Sequence, residues 1–198
     1  EQDLDIAIGH FAELLASNLH AQRAAHFPPD AKKVMRSLSS GEAAELLGVD
    51  HTYLRKLHRE GKISDVETTA GSHRRYTLDD IWEIRHSLEA NAKKPGTYVP
   101  GRRSGDELQV VSVVNFKGGS GKTTTSAHLA QRLAFKGYRV LAIDLDPQAS
   151  MSALHGIQPE LDLMEGGTLY DAVRYDDPVP ISEVIRKTYI RGLDLIPG

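Results

Sequence analysis

The run Gln109-Val110-Val111-Ser112-Val113-Val114-Asn115 leads without interruption into Phe116-Lys117-Gly118-Gly119-Ser120-Gly121-Lys122-Thr123-Thr124-Thr125, and this stretch decides how the chain is read. Its first seven residues are mostly apolar and β-branched, the composition of a parallel strand covered on both faces. The next ten are rich in glycine, lysine and threonine, and a helical pattern continues to about Phe135. Strand, glycine-rich loop and helix, in that order, are the context a phosphate-binding loop requires. Gly118, Gly119 and Gly121, with Ser120 among them, let the backbone wrap an anion without side-chain obstruction, so that successive N–H groups point inward. The helix after Gly121 adds the positive end of its dipole at the same point. In such a loop Lys122 reaches the β- and γ-phosphate oxygens, Thr123 offers its hydroxyl to Mg2+, and Thr124 can hydrogen-bond the α-phosphate. The plainer alternative is a glycine-rich turn between a strand and a helix.

Arg139 to Leu145 reads as the next strand and ends in Asp144-Leu145-Asp146-Pro147-Gln148. Two aspartates at the carboxyl end of a strand beside a phosphate loop are placed to hold magnesium-bound and attacking waters. Without the loop, the same residues would be a helix cap and a turn. Residues 167–173 then read as a short helix, Pro180 to Lys187 as another, and Gly192 to Pro197 as a strand. Lys187 and Arg191 could equally be surface charge. The expected class is an α/β P-loop NTPase with a parallel sheet over residues 108–198.

Upstream, residues 32–92 read as a different module. Ser39 to Gly48 opens with capping residues, continues through helix formers and stops at glycine. Asp50 caps a second helix that runs through Glu60 to a stop at Gly61, and two short helices about a tight turn make a helix-turn-helix. On the second helix Leu54 and Leu57 take the inner positions. His51, Thr52, Tyr53, Arg55, Lys56 and Arg59 are left largely outward, and the N-terminal half is the end that enters a major groove in this motif. Ile63 to Tyr76 has the character of a β-hairpin, with residues 68–72 as its turn and His73, Arg74 and Arg75 on the return strand. Thr77 to Asp80 cap a third helix carrying Ile81, Trp82, Ile84 and Leu88. Bases on both the second helix and the wing suit duplex phosphates better than base edges. The alternatives are a solvated charged face or a protein-contact surface. Tyr53, Tyr76 and Trp82 read better as packing residues than as base readers.

Residues 1–31 hold a helix whose Leu4, Ile8, Phe11, Leu15 and Leu19 recur at three- and four-residue steps until Phe27-Pro28-Pro29. It is either packed on its own domain or a dimerisation or domain-swapped arm. Residues 93–107 mix Pro, Gly and base with no apolar period, a linker by composition. The chain has 198 residues, a formal net charge of -3, 40% hydrophobic content and no cysteine. Absence of cysteine removes disulfides, thiolate metal sites and thiol nucleophiles at once. No stretch approaches the ~20 apolar residues of a membrane span, and the cytoplasm is the default compartment. Charge is uneven: residues 1–31 and 104–198 are net acidic, whereas 32–103 are net basic. An anionic partner is therefore expected for the middle module only.

The loop departs from G-x-x-x-x-G-K-[ST], because Phe116 stands where the first glycine would and Lys117 follows it. The pattern K-G-G-x-G-K-T-[ST] is a deviant Walker A motif and resembles the ParA/MinD class of ATPases. The resemblance makes Lys117 the signature lysine, stabilising phosphate charge on the partner subunit's nucleotide in an ATP-sandwich dimer. Leu141 to Gln148 looks like the Walker A′ segment of ParA proteins, which puts Asp144 near Mg2+, through water, and Asp146 near the attacking water. Gly71 to Ile81 resembles the wing and following helix of MerR-type winged helices. The whole order is similar to type Ia-like ParA partition proteins, and within them to the RepA group of repABC plasmids.

That resemblance implies a homodimeric, weak ATPase using ATP/ADP and Mg2+, stimulated by DNA and a ParB-like centromere-binding partner. It implies plasmid segregation, nonspecific DNA binding in the ATP state, autorepression at its own operator, and a nucleoid-associated place in the cytoplasm. ATP rather than GTP rests on the resemblance alone. A transcriptional regulator switched by nucleotide without turnover stays open beside it. No apolar run ending in Asp follows as a Walker B strand, and the chain starts without Met. The expectation is a longer protein, of which this stretch alone leaves apolar surface exposed and binds nucleotide poorly.

Overall fold

The computed structural model describes residues 2–26, 33–158, 162–163 and 167–198. The chain divides into two compact units, Glu1–Lys33 and Val34–Gly198. The first is helix α1 (Gln2–His26). Phe11, Leu15 and Leu19 of its expected stripe are exposed, as is Leu14. The side chains of Leu4 and Ile8, and the Phe27-Pro28-Pro29 stop, lie outside the described residues.

The second unit opens with β1 (Leu38–Ser39), then α2 (Ser40–Leu47) and α3 (His51–Arg59). Ser39 and Glu42 form a reciprocal capping box, and Gly48 closes α2 in the left-handed conformation. Asp50 accepts the Thr52 N–H at 2.8 Å and starts α3. These contacts satisfy amides that a helix end would otherwise leave without partners. The wing follows as expected at its tip, where Thr69 N donates to His73 O at 3.0 Å and Thr68 bridges Arg74. Its return strand β2 (Arg75–Tyr76), however, pairs antiparallel with β1, a strand the sequence reading omitted. Two residues are too short for any alternation to be read. A Thr77–Asp80 capping box opens α4 (Leu78–Ala90). Leu47, Leu54, Leu57, Tyr76, Ile81, Ile84 and Leu88 form one buried core.

Helix α5 (Lys122–Phe135) packs Ala127, Ala130 and Ala134 against a three-stranded sheet, their small side chains allowing close approach. The sheet order is β3 (Val140–Ile143), β5 (Leu193–Ile196), β4 (Arg186–Lys187). β3 and β5 are parallel and β4 runs antiparallel at the edge, so the sheet is mixed rather than wholly parallel. Between them lie α6 (Ser150–Leu154) and α7 (Leu169–Val173). Two further expectations are not met. Pro180 to Lys187 is no helix: only Ile181–Glu183 makes a 3-10 turn, and Arg186 and Lys187 join the sheet. Gln109 to Asn115 pairs with no strand, and Val110, Val111 and Val114 are exposed. A strand requires ladder partners, and the described residues supply none for this run.

Helix α4 serves both halves of this unit. Ile81, Ile84 and Leu88 enter the helix-turn-helix core, while Leu78 also packs on the cluster between α5 and the sheet. Trp82 lies so close to Gly192 that a Cβ there would meet its ring at 2.8 Å. The Arg191 guanidinium sits 6.0 Å from the Trp82 ring centre, and its Nε lies 3.5 Å from Asp79. Arg85, 4% exposed, donates to the Leu46 carbonyl, to Tyr98 O at 3.0 Å and to Phe135 O at 2.8 Å. Leu46 and Phe135 lie in the last turns of α2 and α5, where carbonyls lack helical donors and the dipole is negative.

Candidate nucleotide and DNA sites

The loop before α5 is exposed from Val114 to Gly121. Gly119 and Gly121 adopt φ +70° and +82°, in the left-handed region that side chains rarely enter. Gly121 is the N-cap of α5, and no side chain caps the helix. The first amides of a 14-residue helix are thus open to an anion, an arrangement that fits a nucleotide phosphate. Lys122 Nζ donates to Lys117 O at 3.5 Å, and Lys117 N donates to Asn115 Oδ1 at 2.8 Å. The two lysines are therefore held across one loop. Lys122 and Thr123 are half-buried, and Thr124 is exposed.

Asp144, 4% exposed, stands just beyond the end of β3. Its Oδ2 accepts from Ser152 N at 2.9 Å and Ser152 Oγ at 2.8 Å, and its Oδ1 from Asp146 N at 3.3 Å. Oδ2 has both lone pairs engaged by Ser152, while Oδ1 keeps one acceptor site, so the carboxylate fits a magnesium-bound water rather than demanding direct ligation. Asp146 is exposed and accepts the Gln148 N–H at 3.0 Å. Among the described residues no hydrogen bond joins Asp144 or Asp146 to the lysines of the loop. Ser152 is the residue that sequence reading passed over. It lies eight positions after Asp144, and no local pattern announces its clamp on that carboxylate.

On the helix-turn-helix, Thr52, Tyr53, Arg55, Lys56 and Arg59 are exposed on α3 while Leu54 and Leu57 are buried, as the inner and outer assignment requires. His51 is half-buried. On the wing His73 and Arg75 are exposed and Arg74 is half-buried. Tyr76 is a core residue at 1% exposure, in line with its reading as packing, whereas Tyr53 is exposed. Lys56 lies 3.7 Å from Glu60, and Glu60 lies 2.9 Å from Lys62. Arg55 and Arg59 have no carboxylate within ion-pair distance among the described residues. Burial lowers the pKa of His58, whose Nε2 lies 2.9 Å from the Tyr76 hydroxyl and whose Nδ1 has no partner.

Residues 108–198 match a family model described as an AAA domain, and residues 38–87 match that of MerR HTH family regulatory proteins. A candidate replication protein A of Sinorhizobium fredii is 51% identical over 188 residues, covering 94% of this chain and 46% of that protein. Protein SopA of Escherichia coli is 34% identical over 177 residues, 86% of this chain and 43% of its own length. The chromosome partitioning protein ParA of Caulobacter vibrioides is 44% identical over 95 residues, 48% of this chain and 34% of its own. The chain spans about half the length of the first two relatives. A MerR-like helix-turn-helix joined to a P-loop NTPase module, with these relatives, fits a ParA-like protein.

Proposed function

We propose that the protein is a partition ATPase of the ParA type that also binds its own operator. The observation that carries this is the Lys117–Lys122 loop at the open end of α5, in the same folded unit as a cationic helix-turn-helix. The loop amides and Lys122 hold the β- and γ-phosphates of ATP, Gly118, Gly119, Ser120 and Gly121 shape the cradle, and Thr124 takes the α-phosphate. Lys117 reaches the nucleotide of a second copy, which makes the working form a homodimer. Thr123 and, through water, Asp144 hold Mg2+, which when bound neutralises phosphate charge. Ser152 fixes the Asp144 carboxylate, and Asp146 orients the attacking water. Hydrolysis is weak and rises with DNA and a ParB-like partner. His51, Thr52, Tyr53, Arg55, Lys56 and Arg59 with His73, Arg74 and Arg75 contact the operator, while nonspecific DNA binding follows ATP. The place of action is the cytoplasm, on the nucleoid. Among the described residues no helix is long and apolar enough to cross a membrane.

Single-turnover hydrolysis by the full-length protein tests the enzyme. Lys117→Ala and Asp146→Ala are expected to lower the hydrolysis rate at least ~100-fold, the scale on which removing one transition-state donor acts, while ATP binding persists. Operator binding that follows nucleotide state in a wild-type protein with no measurable turnover would favour a nucleotide-switched regulator instead.

A further inference from the structure

Lys93, Lys94, Arg102 and Arg103 fall in a stretch whose composition is that of a solvated connector, yet its structure is a built turn. The Glu89 carboxylate on α4 accepts the N–H groups of Gly96, of Tyr98 at 2.8 Å and of Val99 at 3.1 Å. These amides, with the Arg103 charge behind them, hold the Glu89 carboxyl below its usual range. Arg85 grips the Tyr98 carbonyl, and Thr97 Oγ1 donates to Lys94 O at 2.6 Å. From the other limb Arg103 donates to Pro95 O at 2.5 Å and crosses Gly96, where a Cβ would come within 2.6 Å of its guanidinium. Asp106 Oδ2 accepts the Arg103 N–H at 2.8 Å. Residues 93–106 therefore double back into a strap that gathers four cations.

The Glu89 and Asp106 carboxylates are engaged by backbone amides. All four cationic residues are exposed, and among the described residues none of their charged groups lies within ion-pair distance of a carboxylate. The strap leaves α4 one turn beyond the point where that helix touches the end of the helix-turn-helix. Ser87 Oγ donates to Lys62 O at 3.2 Å, setting the second half of α4 beside the end of α3. Asn91 Nδ2 donates to Ser87 O at 3.3 Å, and Lys93 lies two residues further on. From Ser87, α4 runs ~4.5 Å further to Ala90, at ~1.5 Å per residue, and so leads from Lys62, which follows α3 and pairs with Glu60, toward Lys93 and Lys94.

We propose that duplex DNA held by α3 and the wing runs on over this strap, and that Lys93, Lys94, Arg102 and Arg103 contact its phosphates beyond the base pairs α3 reads. The proposal rests on the DNA-binding reading of the helix-turn-helix. Contacts of this kind set affinity and register but carry no base preference. A free run of the same charges would have to be ordered on binding, whereas a turn already folded by Glu89 and Arg85 would not.

The test is fluorescence anisotropy with the full-length protein, a duplex from upstream of its gene and a scrambled duplex, across a salt series. Removing one cation from a phosphate lowers the slope of log affinity against log salt by ~0.9. Replacing all four residues by Gln is expected to lower that slope by ~2 to 4 and to weaken both duplexes at least ~10-fold at low salt, with their affinity ratio unchanged. Arg55→Ala is expected to change the ratio instead. Glu89→Ala adds net positive charge but undoes the turn, and is expected to reduce the slope as well. An unchanged slope in the fourfold variant overturns the strap, as does tighter binding by Glu89→Ala. Wild-type protein that binds neither duplex overturns the DNA reading of the helix-turn-helix itself, a distinct result.

Discussion

At the scale of single residues, the charged groups of the helix-turn-helix divide into those solvent serves and those it does not. Glu42 is of the first kind: the Arg36 guanidinium and the Ser39 N–H and hydroxyl lower its pKa to about 2. His58 is of the second, 6% exposed, hydrogen-bonded on one nitrogen and without a partner on the other. Burial, then the Arg74 charge, pushes its pKa down, against weaker upward pulls from Asp65 and Asp80. A histidine depressed in the fold takes up its proton first in the unfolded chain. Stability is therefore full above the ordinary histidine pKa of ~6.5 and falls as pH drops from there toward the folded value. The slope for one such group is at most ~1.4 kcal/mol per pH unit. Thermal unfolding between pH 7.5 and 5.5 is expected to show a fall that His58→Gln removes, since glutamine can donate to or accept from the Tyr76 hydroxyl. A pH slope that persists in His58→Gln would assign it elsewhere. The lowered carboxyls Glu42, Asp50 and Glu89 act only in a lower window, as pH falls through the carboxylate range.

At the scale of elements, Arg85 is where α2, α5 and the strap meet, and its three described acceptors are all carbonyls. Removing it strips donors from two helix ends and leaves a void. Arg85→Ala is expected to lose ~3 kcal/mol in denaturant unfolding. Arg85→Lys should lose nearly as much, because an ammonium lacks the planar fork that reaches divergent acceptors. A loss below ~1 kcal/mol for Arg85→Ala would show that water replaces the guanidinium without penalty. Gly137 belongs to the same junction: at φ +93° a Cβ would lie 3.1 Å from both Arg85 Cδ and Tyr98 O.

This junction also marks how far sequence reading reached. Helices α2, α3 and α4 were legible because Ser39, Asp50 and Thr77 announce their starts through contacts with residues two or three places on. The phosphate loop was legible for the same reason, its chemistry lying in consecutive residues. β1 and the unpaired run before the loop were not, because pairing is decided by residues far along the chain. Likewise nothing near Asp144 foretold Ser152, and nothing in residues 93–106 foretold that Glu89 would gather their amides.

At the scale of the whole molecule, α4 buries one side among Leu54, Leu57 and Tyr76 and lays Leu78, Trp82 and Arg85 against α5 and the sheet. Neither half of Val34–Gly198 can release it without exposing apolar surface. The consequence is hydrodynamic. The winged helix has no rotational diffusion of its own, and backbone nitrogen relaxation of residues 38–90 and 122–158 should give a single correlation time. A distinctly shorter time for residues 38–90 would mean that α4 parts from the sheet in solution. With one tumbling time, the duplex proposed for α3 would be carried at a fixed angle to the loop before α5, and every reorientation of the half that carries that loop would turn the DNA with it.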